Sequence, residues 1–115
     1  MIEVKKEMIS KERVDEWFAK WESLNAEIFA AHDRRDGSAA EFMLQGIELF
    51  ESFIVEGSQT DNGFNTQLIY EIMPINGMER FQFIKARPGQ YACYRQLDEL
   101  FKETKKRCAR LRLKK

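Results

Sequence analysis

The sequence is poor in the residue types that most often carry chemistry. It has one histidine, two cysteines and two prolines among 115 residues, and its six glycines form no phosphate-binding motif. Cys93 and Cys108 fall on one predicted helix, where a rise of about 1.5 Å per residue separates them by about 22 Å. This distance excludes a disulfide and a zinc site shared with the lone His32. We therefore expect no metal ion and no cofactor.

Long apolar runs are also missing. No stretch approaches the roughly 20 residues that a membrane-spanning helix needs. The N-terminal MIEVKKEMISKE is charged and lacks the apolar segment of a signal peptide. Two unpaired thiols suit a reducing compartment, so we expect a cytoplasmic protein. The hydrophobic content of 43%, with nine phenylalanines, predicts a folded chain, and its length predicts a single domain over residues 1–115.

Three stretches show helical periodicity. The first, 11–32, follows a Ser10 cap and repeats apolar residues at three- and four-residue steps. The second covers about 39–55 and is apolar over an unusually wide arc. The third covers about 90–111, and its apolar seam also steps by three and four residues.

A β-hairpin is predicted between the second and third helices. The runs TQLIYEIMPI and MERFQFIK flank Asn76-Gly77, a dipeptide typical of two-residue hairpin turns. This register places Tyr70, Ile72, Phe81 and Phe83 on one face of the sheet. Residues 2–9 are a possible third strand. The expected fold is therefore α+β in the order (β)ααββα: a helical hairpin, an antiparallel β-hairpin and a long C-terminal helix.

Candidate catalytic residues are isolated from one another. His32 lies near a helix C-terminus, where its cation complements the helix dipole. Cys93 lies near a helix start but has no partner base in the sequence. Acidic neighbours such as Asp98 and Glu99 diverge by about 100° on a helix and are interpreted as solvated. An enzyme with a site that the sequence does not reveal ranks third among the functional hypotheses.

Charge is strongly segregated along the chain. Residues 1–64 carry fourteen acids and seven Lys/Arg, whereas residues 102–115 carry eight Lys/Arg and one acid. The basic residues could balance the acidic helices and the helix dipole, contact nucleic-acid phosphates, or dock on an acidic protein or membrane surface. These candidate binding residues are Lys102, Lys105, Lys106, Arg107, Arg110, Arg112, Lys114 and Lys115.

The wide apolar arc of the second helix favours a partner. Phe42, Leu49 and Phe53 extend beyond the stripe that one neighbouring helix would cover. We therefore predict a non-enzymatic protein-interaction module that self-associates through these residues. The alternative is a nucleic-acid-binding protein that uses the basic C-terminal helix.

Overall fold

The computed structural model describes residues 1–114, which form four α-helices and one short 3-10 turn at Lys6–Met8. The helices are α1 (Lys11–Arg34), α2 (Ala39–Glu56), α3 (Gly77–Ala86) and α4 (Tyr91–Leu113). α1 packs along α2, α4 packs against both, and α3 packs on α4. The expected α+β class is wrong, because the described residues form an all-α fold with no strand or sheet.

Stacked aromatic rings form the centre of the core between α1, α2 and α4. The Phe101 ring lies 4.2 Å from Trp21 and 4.8 Å from Trp17, measured between ring centroids. Gly46 lets α2 approach these rings, since a Cβ there would lie 2.8 Å from the Trp21 ring and 3.2 Å from Leu97. The periodic apolar residues of the three long helices therefore converge on one interior.

The start of α1 matches the predicted cap. Ser10 Oγ accepts a hydrogen bond from the Arg13 amide at 3.3 Å, which satisfies one of the unpaired donors of the first turn. At the other end Arg35 adopts a left-handed conformation with φ of 57° and ends the helix. The tight turn 35–38 then leads into α2.

The β-hairpin at Asn76-Gly77 does not form. Asn76 has the positive φ that a turn requires, 57°, but Gly77 begins α3 instead of a second strand. Within α3 the buried residues are Gly77, Phe81 and Ile84, at the four- and three-residue steps of a helix. Phe83, predicted to share a face with Phe81, is 49% exposed.

The competing periods explain this error. The segment MERFQFIK satisfies both an alternating pattern and a helical one, so periodicity alone does not decide between them. A helix satisfies its backbone hydrogen bonds within itself, whereas the preceding run offers no regular partner: Pro74 lacks an amide and Glu71 is engaged by other elements. The run before Asn76 is therefore an irregular segment that buries Tyr70, Ile72 and Met73.

Residues 2–9 do not form a strand either. Ile2 and Val4 make single bridges, parallel to Tyr70 and antiparallel to Ser58, before the chain turns at Lys6–Met8. The Ile2 amide donates to the Ile69 carbonyl at 2.7 Å. The N-terminal segment is thus held by isolated contacts with residues 57–76.

Candidate interaction surfaces

His32 lies at the C-terminal end of α1, against two tyrosines of α4. Its ring centroid is 5.3 Å from that of Tyr91 and 5.7 Å from that of Tyr94, and its buried Nε2 has no hydrogen-bond partner among residues 1–114. It lines an open cleft of about 610 Å³ with Phe29, Asp33, Arg35 and Tyr91. None of these lining residues is a serine or cysteine, so the cleft does not contain a Ser–His or Cys–His pair.

Both cysteines are buried and free. Burial raises the pKa of the Cys108 thiol to about 12 and also raises the pKa of Cys93. A thiol whose pKa is raised is a poor nucleophile at neutral pH. Within the part of the chain that the structure describes, no three His, Cys, Asp or Glu side chains come together as a metal site would require.

Asp98 is the centre of a buried polar network that the sequence analysis missed. The residue is 3% exposed, and its carboxylate accepts hydrogen bonds from Trp21 Nε1 at 3.0 Å and Asn25 Nδ2 at 3.3 Å. Lys102 Nζ lies 2.9 Å from its other oxygen, and Tyr94 donates to Asn25. The interpretation of Asp98 as solvated is therefore wrong. Its position on the flank of the apolar seam, between Tyr94 and Phe101, was the available signal.

Part of the basic set on α4 is directed towards the N-terminal part of the chain. Lys105 Nζ lies 4.4 Å from the centroid of the Phe18 ring and 4.0 Å from Asp15 Oδ1. Arg112 donates to the Ile9 carbonyl at 2.9 Å. These interactions fasten α4 to α1 and to the residues before it, whereas the ion pair between Lys102 and Asp98 lies within α4.

Arg107 of α4 and Lys114, the residue that follows this helix, hold the irregular segment before α3. Arg107 Nε donates to the Glu71 carbonyl at 2.6 Å, and Lys114 Nζ lies 3.3 Å from Glu71 Oε2. Glu71 Oε1 also accepts the Val4 amide at 3.0 Å, and this hydrogen bond, with the charge of Lys114, lowers the pKa of the carboxyl. Glu71 therefore joins the N-terminal segment to α4.

Most of the described cations that were candidates for nucleic-acid binding make contacts within the chain. Five of the eight cations make the contacts given above, whereas Lys106 and Arg110 are exposed and have no salt-bridge partner among residues 1–114. Lys115 lies outside the described residues. Nucleic-acid binding stays a prediction, and Lys106 and Arg110 are the described cations of this set that combine exposure with no salt-bridge partner among residues 1–114.

The residues predicted for self-association serve the chain's own packing. Phe53 is 7% exposed and stacks on Trp17, with ring centroids 3.9 Å apart. Phe42 and Leu49 are half-buried and packed against the core. Trp17 Nε1 also donates to the Leu49 carbonyl at 3.3 Å, which fixes α1 against α2. Of the apolar arc of α2, Phe53 is thus covered within one chain, whereas Phe42 and Leu49 are covered only in part.

A different apolar surface is exposed beside α3. Ile69, Ile75 and Met1 are 71%, 81% and 74% exposed, and they line a cleft of about 390 Å³. The half-buried Leu68 and Met78 also line it, while Glu79 and Arg107 supply one charge of each sign. We call Met1, Leu68, Ile69, Ile75 and Met78 the isoleucine patch. The sequence does not reveal this surface, because Leu68, Ile69, Ile75 and Met78 fall in the predicted hairpin.

The fold and its surfaces define an all-α domain with exposed apolar and charged faces. No helix within residues 1–114 combines the length and apolar character needed to cross a membrane. A family model described as "YpoC-like protein" matches residues 11–115, and the chain therefore belongs to this family.

Comparison with curated proteins gives a partial match to "Uncharacterized protein YpoC" of Bacillus subtilis (strain 168). The two are 54% identical over 37 residues, which is 32% of this chain and 23% of the relative. The aligned part thus spans less than a quarter of that protein's length. No solved structure matches the chain.

Proposed function

We propose that this chain is a non-enzymatic protein-interaction module that self-associates through the isoleucine patch. The supporting observation is the exposure of Ile69 and Ile75, which are 71% and 81% accessible and line one cleft. Contiguous exposed apolar surface on a folded domain marks an interaction site more often than scattered single residues do. The methionine side chains at its edge can adapt their shape to a partner.

A second copy of the chain suits this patch because its charges are mixed. Glu79 and Arg107 both line the cleft. A two-fold axis through the patch would set the acid of one copy against the cation of the other, as a self-complementary interface requires. A partner of one charge sign would match only half of this rim.

The expected affinity is modest. Burying one exposed isoleucine contributes about 1.5–3 kcal/mol, and a symmetric contact would bury Ile69 and Ile75 from both copies. Association costs about 4–15 kcal/mol in lost translational and rotational freedom. At the favourable end of both ranges the net free energy is about −8 kcal/mol, which corresponds to a dissociation constant of about 1 µM. Since Met1, Leu68 and Met78 would bury further apolar area, we expect a dissociation constant in the micromolar range.

Sedimentation equilibrium tests the proposal. The chain should approach a dimer at about 100 µM, and the double variant Ile69→Glu/Ile75→Glu should remain a monomer, because two facing carboxylate pairs would repel each other. Leu113→Glu is the control for a new carboxylate at an exposed apolar position, since Leu113 is 84% exposed and does not line the cleft. It should leave the dimer unchanged.

Three outcomes would contradict the proposal. A parent chain that stays monomeric at 100 µM removes self-association. Loss of the dimer in Leu113→Glu shows that the variants act through net charge. If Ile69→Glu/Ile75→Glu still forms a dimer, the interface does not include the isoleucine patch. Circular dichroism of each variant checks that the helices are retained.

We also propose that the module works in the cytoplasm. Support comes from the two cysteines, which are both buried and free. Unpaired thiols are typical of proteins in a reducing compartment.

A further inference from the structure

A second surface, independent of the isoleucine patch, lies between α1 and α2. Two contiguous clefts of about 250 and 510 Å³ share Lys20, Leu49 and Ser52. Leu24 and Leu49, both half-buried, supply apolar side chains to the wider cleft. We call this surface the α1–α2 groove.

Contacts of Trp17 at the base of the groove join α1 to α2. The Trp17 indole donates to the Leu49 carbonyl and stacks on Phe53, so the two helices are fixed relative to each other. On α2 the lining runs from Gln45 to Glu56, about 16 Å at a rise of about 1.5 Å per residue. This length fits about three turns of a docked helix.

The two walls of the groove differ in charge. α2 carries four glutamates and no Lys or Arg, and only Glu51 has a salt-bridge partner among residues 1–114. Glu48 and Glu56 line the groove, and both are exposed. On the α1 wall the sign of the charge alternates instead, since this wall is lined by Arg13, Glu16 and Lys20. Lys20 Nζ lies 3.9 Å from Glu16 Oε1.

We propose that the α1–α2 groove binds a basic amphipathic helix of a partner protein. The apolar side of such a helix would cover Leu24 and Leu49, and its lysines or arginines would face Glu48 and Glu56 of α2. Laying an amphipathic helix into an apolar groove is a recurrent mode of recognition, and complementary charges fix its direction. A second copy of this chain fits less well, because its exposed cations Lys106 and Arg110 lie on a helix whose apolar side is already buried.

A synthetic leucine–lysine peptide of about 14 residues, patterned as an amphipathic helix, provides the probe. Fluorescence anisotropy of the labelled peptide should show saturable binding to the full chain. In Glu48→Lys/Glu56→Lys the dissociation constant should rise about tenfold, since two attractive charge pairs become repulsive.

The matched control is Glu27→Lys/Glu99→Lys. Both of these glutamates are exposed, both lie outside the groove, and the change in net charge is the same. Its dissociation constant should stay within about twofold of the parent.

A leucine–glutamate peptide of the same pattern separates groove binding from simple adhesion to an apolar surface. It should bind at least about tenfold more weakly than the lysine peptide. Equal binding of both peptides, equal losses in the two double variants, or no saturable binding at 100 µM would each overturn the proposal.

Discussion

Two regions of the molecule are held together by different forces. Between α1, α2 and α4, stacked rings such as those of Trp21 and Phe101 fill the interior. Residues 1–9 and 57–76 also bury apolar side chains such as Ile9 and Ile72, but they have little regular structure, and single hydrogen bonds hold their backbone, several of them to Glu71. The first region follows from helical periodicity, whereas the second follows from contacts between side chains and the backbone that no period encodes.

Removing a central ring should have the largest effect. Phe101→Ala deletes a fully buried ring that contacts Trp17, Trp21 and Phe50. We expect the free energy of unfolding to fall by about 3–5 kcal/mol, a large part of the stability of a small domain. Urea denaturation followed by circular dichroism measures this loss.

The control for this change is Phe83→Ala on α3. Phe83 is 49% exposed, so its removal should cost less than about 1 kcal/mol. If both variants lost the same stability, the aromatic core would not be the dominant support of the fold.

Weakening the contacts of Glu71 in the second region should lower the free energy of unfolding by a smaller amount, and this loss should depend on pH. In Glu71→Gln the charge that attracts Lys114 is lost and the hydrogen bond from the Val4 amide is weakened, and we expect a loss of about 1–2 kcal/mol at pH 7. The folded pKa of Glu71 is lowered, so its contribution is complete above the ordinary value of 4.5 and disappears as the pH falls through the lower folded value.

Urea denaturation at pH 7 and at successively lower pH tests this sign. The stability difference between the parent and Glu71→Gln should shrink towards zero in acid, because the protonated carboxyl then resembles the amide. Glu79→Gln, at an exposed position on α3, should show no such convergence. A difference for Glu71→Gln that stays constant down to the acid limit would contradict the assigned role.

The sequence predicted the first region well and the second poorly. The three long helices begin and end within a few residues of the predicted bounds, because their apolar residues recur at helical steps and Ser10 offers a cap. The stretch 66–86 failed because two periods compete there and Asn76-Gly77 serves the start of a helix as readily as a hairpin. Burial of Ile84 and of Phe81, whose ring packs against Phe50 of α2, favours the helix.

The candidate surfaces were predictable only in part. The acidic character of α2 and the basic character of the C-terminal helix are visible in the sequence. The sequence does not show which of these cations bind groups within the chain, because Arg107 and Arg112 donate to carbonyls that lie 36 and 103 residues away. The exposure of Ile69 and Ile75 likewise depends on a backbone path without a repeating pattern.

The smallest expected effects separate the cations of α4. Arg107→Ala removes a donor to the Glu71 carbonyl and should cost about 1 kcal/mol, whereas Arg110→Ala, at an exposed position, should change stability by less than about 0.5 kcal/mol. Both changes remove one positive charge from the same helix, so net charge cancels in the comparison. Equal losses in thermal denaturation would mean that α4 is stabilised by its overall charge, and the hydrogen bond to Glu71 would then have no special part in holding the second region.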